Sequence, residues 1–191
     1  ENSAIVSRIT GGISDDHLDL SAYSFTRNAV LTGPGADDGL TGSVNGIAFD
    51  NIDSLTGSGL PGDSLTGANL VSRWNLAGGA DYTVAGRTLD FAGFEILIGG
   101  GAADTFTLSG AQAFTLRGGA GDDTFALDNA ALFTGTINGD AGIDLLGYSA
   151  FITPVTVDLS TGLAQNIVGV VSGIENINGG DGNDTLTGSN L

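Results

Sequence analysis

Gly118-Gly119-Ala120-Gly121-Asp122-Asp123-Thr124-Phe125-Ala126 and Gly179-Gly180-Asp181-Gly182-Asn183-Asp184-Thr185-Leu186-Thr187 follow one nine-residue pattern, G-G-x-G-x-D-x-U-x, with U a large apolar residue. Glycines at positions 1, 2 and 4 open backbone conformations with positive φ, so the chain can turn tightly and aim its carbonyls at one point. The position-6 aspartate adds a carboxylate to those carbonyls. A flexible, all-oxygen donor set of this kind suits Ca²⁺ better than Zn²⁺ or Cu²⁺. The apolar residue at position 8 turns inward and starts a strand.

Degenerate copies surround the two full ones. Gly99-Gly100-Gly101-Ala102-Ala103-Asp104-Thr105-Phe106 lacks the third glycine, and Gly139-Asp140-Ala141-Gly142-Ile143-Asp144-Leu145-Leu146 lacks the second. More worn versions run from Gly33 to Leu40, with Asp38, and from Gly59 to Leu65, with Asp63. Asp104, Asp123 and Asp144 are 19 and 21 residues apart, and Asp184 follows 40 residues later, which reads as two further units. Apolar residues keep the same beat. Leu97, Leu116, Ile137 and Ile177 stand two places before each turn. Phe106 and Leu108, Phe125 and Leu127, Leu146 and Tyr148 alternate after it. Alternation with period 2 marks half-buried strands, and no helical period is sustained. A repeat of about 20 residues is what one coil of a stacked β structure needs. The expected fold is therefore all-β, a right-handed parallel β-solenoid with coils of about 20 residues and ion-binding turns on one edge. Residues 1–191 read as one elongated domain, diverged over 1–93 and clear over 94–191. Because the sequence starts at Glu1 and stops just after a repeat, a piece of a larger protein is expected.

Composition narrows the partners. The chain has 191 residues, 33 glycines, no cysteine and 41% hydrophobic residues, so disulfides are excluded and a continuous core is within reach. Net charge is −17, with Arg8, Arg27, Arg73, Arg87 and Arg117 as the only basic side chains apart from His17. So acidic a surface cannot neutralise phosphates, which argues against nucleic acid and anionic membranes as partners. It repels itself unless cations bind. No stretch is apolar and long enough for a membrane-spanning helix. Asp15-Asp16-His17 lacks a second His or a Cys and is expected at the surface rather than in a metal centre. Trp74 and the three tyrosines are expected in the core or at the ends rather than on a sugar platform.

The two nonapeptides, with Val155-Thr156-Val157-Asp158-Leu159-Ser160-Thr161-Gly162 and Gly173-Ile174-Glu175-Asn176-Ile177, make residues 94–191 resemble the RTX, or haemolysin-type calcium-binding, repeat proteins of bacteria. The resemblance implies a ligand, Ca²⁺, held by carbonyls near positions 1 and 3 and by the position-6 carboxylate. Carried onto this chain, it names Gly118, Ala120 and Asp123, then Gly179, Asp181 and Asp184, with Asp104 and Asp144 from the degenerate copies. It also implies export and folding outside the cell, at an extracellular or cell-surface address. The motifs here stand singly rather than in tandem, so ions are expected on one edge only. The expected role is a non-enzymatic structural segment of an adhesin, surface-layer protein or RTX exoprotein. The alternatives are a β-helix polysaccharide lyase or epimerase (or its accessory module) and a calcium-independent stem of an autotransporter or filamentous adhesin. Open strand edges at the ends make association with neighbouring repeats, or end to end with another copy, the expected protein contact.

Overall fold

The computed structural model describes residues 8–189, and among these there is no helix. The N-terminal half contains β1 (Arg8–Thr10), β2 (His17–Asp19), β3 (Asn28–Pro34), β4 (Leu40–Val44), β5 (Ile47–Ile52), β6 (Ser54–Thr56), β7 (Ser64–Thr66), β8 (Ser72–Ala77), β9 (Gly79–Val84) and β10 (Arg87–Ala92). The middle is β11 (Ile96–Gly100), β12 (Asp104–Leu108), β13 (Ala111–Ala120), β14 (Thr124–Leu127), β15 (Leu132–Ala141) and β16 (Leu145–Gly147). The chain closes with β17 (Thr156–Asp158), β18 (Leu163–Ala164), β19 (Ile167–Val168), β20 (Val171–Ser172), β21 (Asn176–Asn178) and β22 (Thr185–Thr187).

Two mixed, mostly parallel sheets carry nearly all of these strands. The first runs β1-β5-β4-β3-β7-β11-β13-β15-β19, with β20 also on β15. The second runs β2-β6-β10-β9-β8-β12-β14-β16-β21. The chain crosses between them at matching places, from β1 to β2, β5 to β6, β7 to β8, β11 to β12, β13 to β14 and β15 to β16. Each crossing forms one row, and rows pair in parallel with like on like. Leu97 lies beside Leu116 and Leu116 beside Ile137 in the first sheet, while Phe106 lies beside Phe125 and Phe125 beside Leu146 in the second. The inner faces of both sheets meet in one apolar cluster. Trp74, Phe106 and Phe125 stack within it, with centroids 5.4 and 5.0 Å apart and planes 9° and 11° from parallel. Trp74, Tyr82 and Tyr148 are fully buried, so none of the three offers a sugar platform.

Two departures from a uniform 20-residue coil occur. In the N-terminal half, β3-β4-β5 form an antiparallel meander in the first sheet and β8-β9-β10 form another in the second. The first fills the second to fourth places of its sheet and the second the third to fifth, so the row count stays matched without a complete coil at the third and fourth places. Asn45-Gly46 and Ala85-Gly86, each pair with positive φ at both residues, close two-residue hairpins and make these reversals possible. In the C-terminal half the coil lengthens. Asp144 reaches its neighbour Glu175 31 residues on, not 20. The added chain builds a third sheet, β18-β17-β22. Ile177 consequently pairs with Leu146 in the second sheet, not with the Leu97, Leu116 and Ile137 column where spacing alone puts it.

Candidate metal centre

Each crossing from the first sheet to the second is a turn, and the position-6 residue opens or immediately precedes the second-sheet strand. Parallel register stacks these residues in a column: Ser72, Asp104, Asp123, Asp144 and Glu175. Their hydrogen bonds run along it. The Asp104 N–H donates to Asp123 Oδ1 at 2.7 Å, the Asp123 N–H to Asp144 Oδ1 at 2.7 Å, and the Asp144 N–H to Glu175 Oε2 at 2.9 Å. At the other end the Ser72 N–H and hydroxyl donate to Asp104 Oδ1 at 2.9 and 2.6 Å. One oxygen of each aspartate therefore caps the neighbouring row.

The other oxygen does not find a partner. Asp104, Asp123 and Asp144 are 1%, 1% and 0% exposed, and Oδ2 of each is buried without a hydrogen bond. Those oxygens face the position-1 glycine of their own turn. A Cβ on Gly118 would lie 2.2 Å from Asp123 Oδ2 and 2.5 Å from the Gly139 carbonyl of the next row. The same pair of oxygens crowds Gly99 (Asp104 Oδ2 and the Gly118 carbonyl) and Gly139 (Asp144 Oδ2 and the Gly173 carbonyl). At every rung a carboxylate oxygen and a main-chain carbonyl oxygen thus pack against the same glycine and leave no room for a side chain. An isolated buried carboxylate is strongly disfavoured in its charged form. Burial pushes Asp104 up to about 6 and Asp123 up to about 7, with the Asp104 and Asp144 charges adding to the rise at Asp123. Asp144 is raised too, first by burial and then by Glu175. The atoms nearest each rung are oxygen only, carboxylate and main-chain carbonyl, the donor type that hard cations take. The carboxylates stand in single file: among the described residues no three of His, Cys, Asp and Glu converge on one point.

Glycine at position 1 is required here by contact rather than by conformation. Gly119 and Gly121, positions 2 and 4, do adopt positive φ, 104° and 109°, whereas Gly118 does not. The second full nonapeptide differs. Gly180 and Gly182 avoid the left-handed region, and the turn rests on Phe151 to Pro154, which carry no motif. It leads from the second sheet into the third, so Asp184 stands apart from the column. Its Oδ1 accepts the Val155 N–H at 3.0 Å, and Asp181 is exposed with its N–H on the Phe151 carbonyl. The structure thus brings Gly118, Ala120, Asp123, Asp104 and Asp144 to one edge and leaves Gly179, Asp181 and Asp184 at another corner.

The worn copies separate further. Asp38 lies in the β3-β4 hairpin. Asp63 lies on the return crossing, from the second sheet to the first, and both its oxygens are satisfied, by the Arg27 N–H and by the Ser58 N–H and hydroxyl. One motif escapes the sequence alignment. Gly11-Gly12-Ile13-Ser14-Asp15-Asp16-His17-Leu18 lacks only the third glycine and makes the β1-to-β2 crossing, with Asp16 Oδ2 taken by the Gly12 N–H. Reading Asp15-Asp16-His17 as a self-contained cluster hides it. His17 itself is exposed, its ring bonded to the Ser54 and Thr56 hydroxyls. Ser72 and Glu175 were invisible as column members because neither is an aspartate in a glycine-rich turn.

No family model, curated protein or solved structure matches this chain.

Proposed function

We propose that this chain is a calcium-stabilised, right-handed β-solenoid segment of a large exported bacterial protein, of the haemolysin-type repeat class that residues 94–191 resemble. Its work is mechanical: a stiff spacer or wall element in an adhesin, surface-layer protein or RTX exoprotein, with no chemistry of its own. The in-register parallel rows support the solenoid reading. The observation that carries the calcium reading is the set of three buried, unpartnered Oδ2 atoms, each beside a main-chain carbonyl. A divalent ion bound along this edge gives the unpartnered oxygens a partner and neutralises part of a net charge of −17. Asp123 and Asp104 with Asp144 are the carboxylate ligands in this reading, with main-chain carbonyls of the Gly118 and Ala120 turn completing the shell. The Gly179, Asp181 and Asp184 turn is a solitary and more exposed version.

Ion-linked folding follows. Calcium binds the folded turns and scarcely the unfolded chain, so it adds RT ln(1 + [Ca]/Kd), about 2.7 kcal/mol for each site at a hundredfold excess over Kd. In low calcium the acidic chain stays loose enough to export; outside the cell it folds. Thermal unfolding in millimolar calcium and in EGTA tests this. The midpoint is expected to rise by at least 5 °C with calcium, at about 2–4 °C per kcal/mol for a chain of this size. Identical midpoints and amplitudes in the two buffers would sink the calcium reading and leave a stem held by stacking alone.

A further inference from the structure

The two sheets differ on their outer faces. The second carries His17, Asp19, Arg73, Asp81 and Asp90 there. In the first, the run β7, β11, β13, β15, β19 and β20 holds only two charged residues, Arg117 and Asp140. These pair with each other, Arg117 Nε and Nη2 donating to Asp140 Oδ2 and Oδ1, both at 2.9 Å. A chain of net charge −17 thus keeps one broad face without net charge. That face is also apolar. Leu132, Val168 and Val170 are 60%, 73% and 53% exposed. They make a ridge along β15 and the β19–β20 segment, next to the small side chains at the start of β13. Ala111 pairs with Leu132, Ala113 with Thr134, and Thr134 with Val168. The step from ridge to alanines leaves a groove of about 460 Å³, lined by Ala111, Ala113, Leu132, Thr134, Asn166 and Val168 among others, with no charged side chain. Contiguous exposed apolar surface of this kind marks an interaction site.

We infer that this face docks a second copy of the chain across a two-fold axis, the ridge of each copy lying in the alanine groove of the other. Charge selects the occupant first. Two chains of net charge −17 repel, so copies meet where neither carries net charge, and a basic partner is drawn instead to the acidic surfaces elsewhere. Shape agrees, because ridge and groove lie on adjacent strands of one face, and a two-fold contact needs both halves of the fit on the same patch. Area agrees too. At about 3.3 Å per residue and 4.8 Å between strands, β11, β13, β15 and the β19–β20 segment present roughly 500 Å². Two copies bury about 1,000 Å², the threshold for a specific interface, so the dimer is weak and depends on concentration. Flat sheets pack face to face in this way about 10 Å apart. The groove lies at the start of β13 and β15, away from the aspartate turns that follow them, so the inference does not depend on the calcium reading. Paired side by side, two such segments make a thicker and stiffer rod and leave the ends of each stack free.

Sedimentation velocity of the whole chain over a range of concentrations tests this. The expected result is a monomer–dimer equilibrium that stops at two, with a dimer fraction that rises with protein concentration. Added sodium chloride should raise it further by screening the repulsion between copies. Leu132→Glu should keep the circular dichroism spectrum and thermal midpoint, since the side chain is exposed, and weaken the dimer at least about tenfold, because a two-fold contact buries the unpaired charge twice. Thr107→Glu, on the outer face of the second sheet, should leave the dimer intact. A second measurement holds even where Leu132→Glu does not fold. The chain has no cysteine, so Ala113→Cys and Leu132→Cys chains each carry a single thiol. Mixed and oxidised, they should form the disulfide between the two variants in preference to either like pair. Monomers at every concentration would overturn the inference and leave the face to a different partner. A dimer untouched by Leu132→Glu, or cross-linking without preference for the mixed pair, would overturn the placement. Assembly that grows past two would assign association to the open ends of the stack and overturn it as well.

Discussion

At Asp123 a single side chain does two jobs that pull against each other. Its Oδ1 caps the Asp104 N–H, which favours the ionised form, while burial of the whole carboxylate favours the neutral one, and burial wins. The consequence for pH has a definite sign. The ordinary carboxylate value of 3.8 applies in the unfolded chain, and the folded values are about 6 for Asp104 and about 7 for Asp123. The folded state therefore binds more protons between these limits. Without divalent ions, the contribution of these groups is fully present below pH 4 and is lost as pH rises through 6 to 7. Thermal midpoints in EGTA are expected to fall between pH 5 and pH 8. In Asp123→Asn the fall should be shallower, because one of the titrating groups is gone. Millimolar calcium should flatten the profile by displacing the protons. A midpoint in EGTA that rises over this range would show that the buried carboxylates are already ionised and compensated.

At the scale of the element, the turn between β13 and β14 shows why glycine cannot be exchanged at position 1. A methyl group on Gly118 would overlap both the Asp123 carboxylate and the next row's main-chain carbonyl, and the carboxylate is itself held by the Asp104 N–H. Gly118→Ala is expected to separate the rows at that edge, lowering the midpoint by more than 10 °C or abolishing cooperative unfolding. Gly78 is the contrast. It has φ of 70° with nothing within 4 Å of an added Cβ, so Gly78→Ala should cost only about 1 kcal/mol of backbone strain. Equal losses in the two variants, measured by thermal unfolding, would show that conformation rather than close approach governs these glycines. The sequence pattern finds both kinds of glycine but does not distinguish them. That distinction depends on which main chain lies across from the turn, and the neighbour is 19 to 21 residues away.

Across the whole molecule, stability is unevenly distributed along the stack. Phe125 is sandwiched between Phe106 and Leu146 and is fully buried, whereas Leu186, at the comparable place in the last motif, is 42% exposed. Phe125→Ala is expected to cost about 3–5 kcal/mol, while Leu186→Ala should cost under about 1 kcal/mol, since little apolar area is removed from water there. Denaturant unfolding of both variants checks this, and similar losses would mean that the final row is covered in solution. Among the described residues the final row and the β1 and β2 edges have no further strand beside them, and these are the places where another coil or another copy can add strands.

The repeat, its period in the middle of the chain, the all-β character and the inward-facing Phe and Leu columns were legible because they are local. A nine-residue turn carries its own glycines, and a period-2 strand carries its own alternation. The Asp104, Asp123 and Asp144 column followed from the same beat. What tertiary structure alone decided is where each motif stands. Two nonapeptides with the same pattern, at 118–126 and 179–187, ended at different corners with different backbones, because one stacks on motif turns on both sides and the other rests on the segment from Phe151 to Pro154. Asp63 and Asp104 went to opposite crossings, and two antiparallel meanders replaced coils in the first half. Motif chemistry belongs to single turns, but the row on which a turn lands depends on the summed length of every strand and loop before it. The contacts that decide whether an aspartate oxygen is hydrogen-bonded or buried without a partner are made only once the rows are in register.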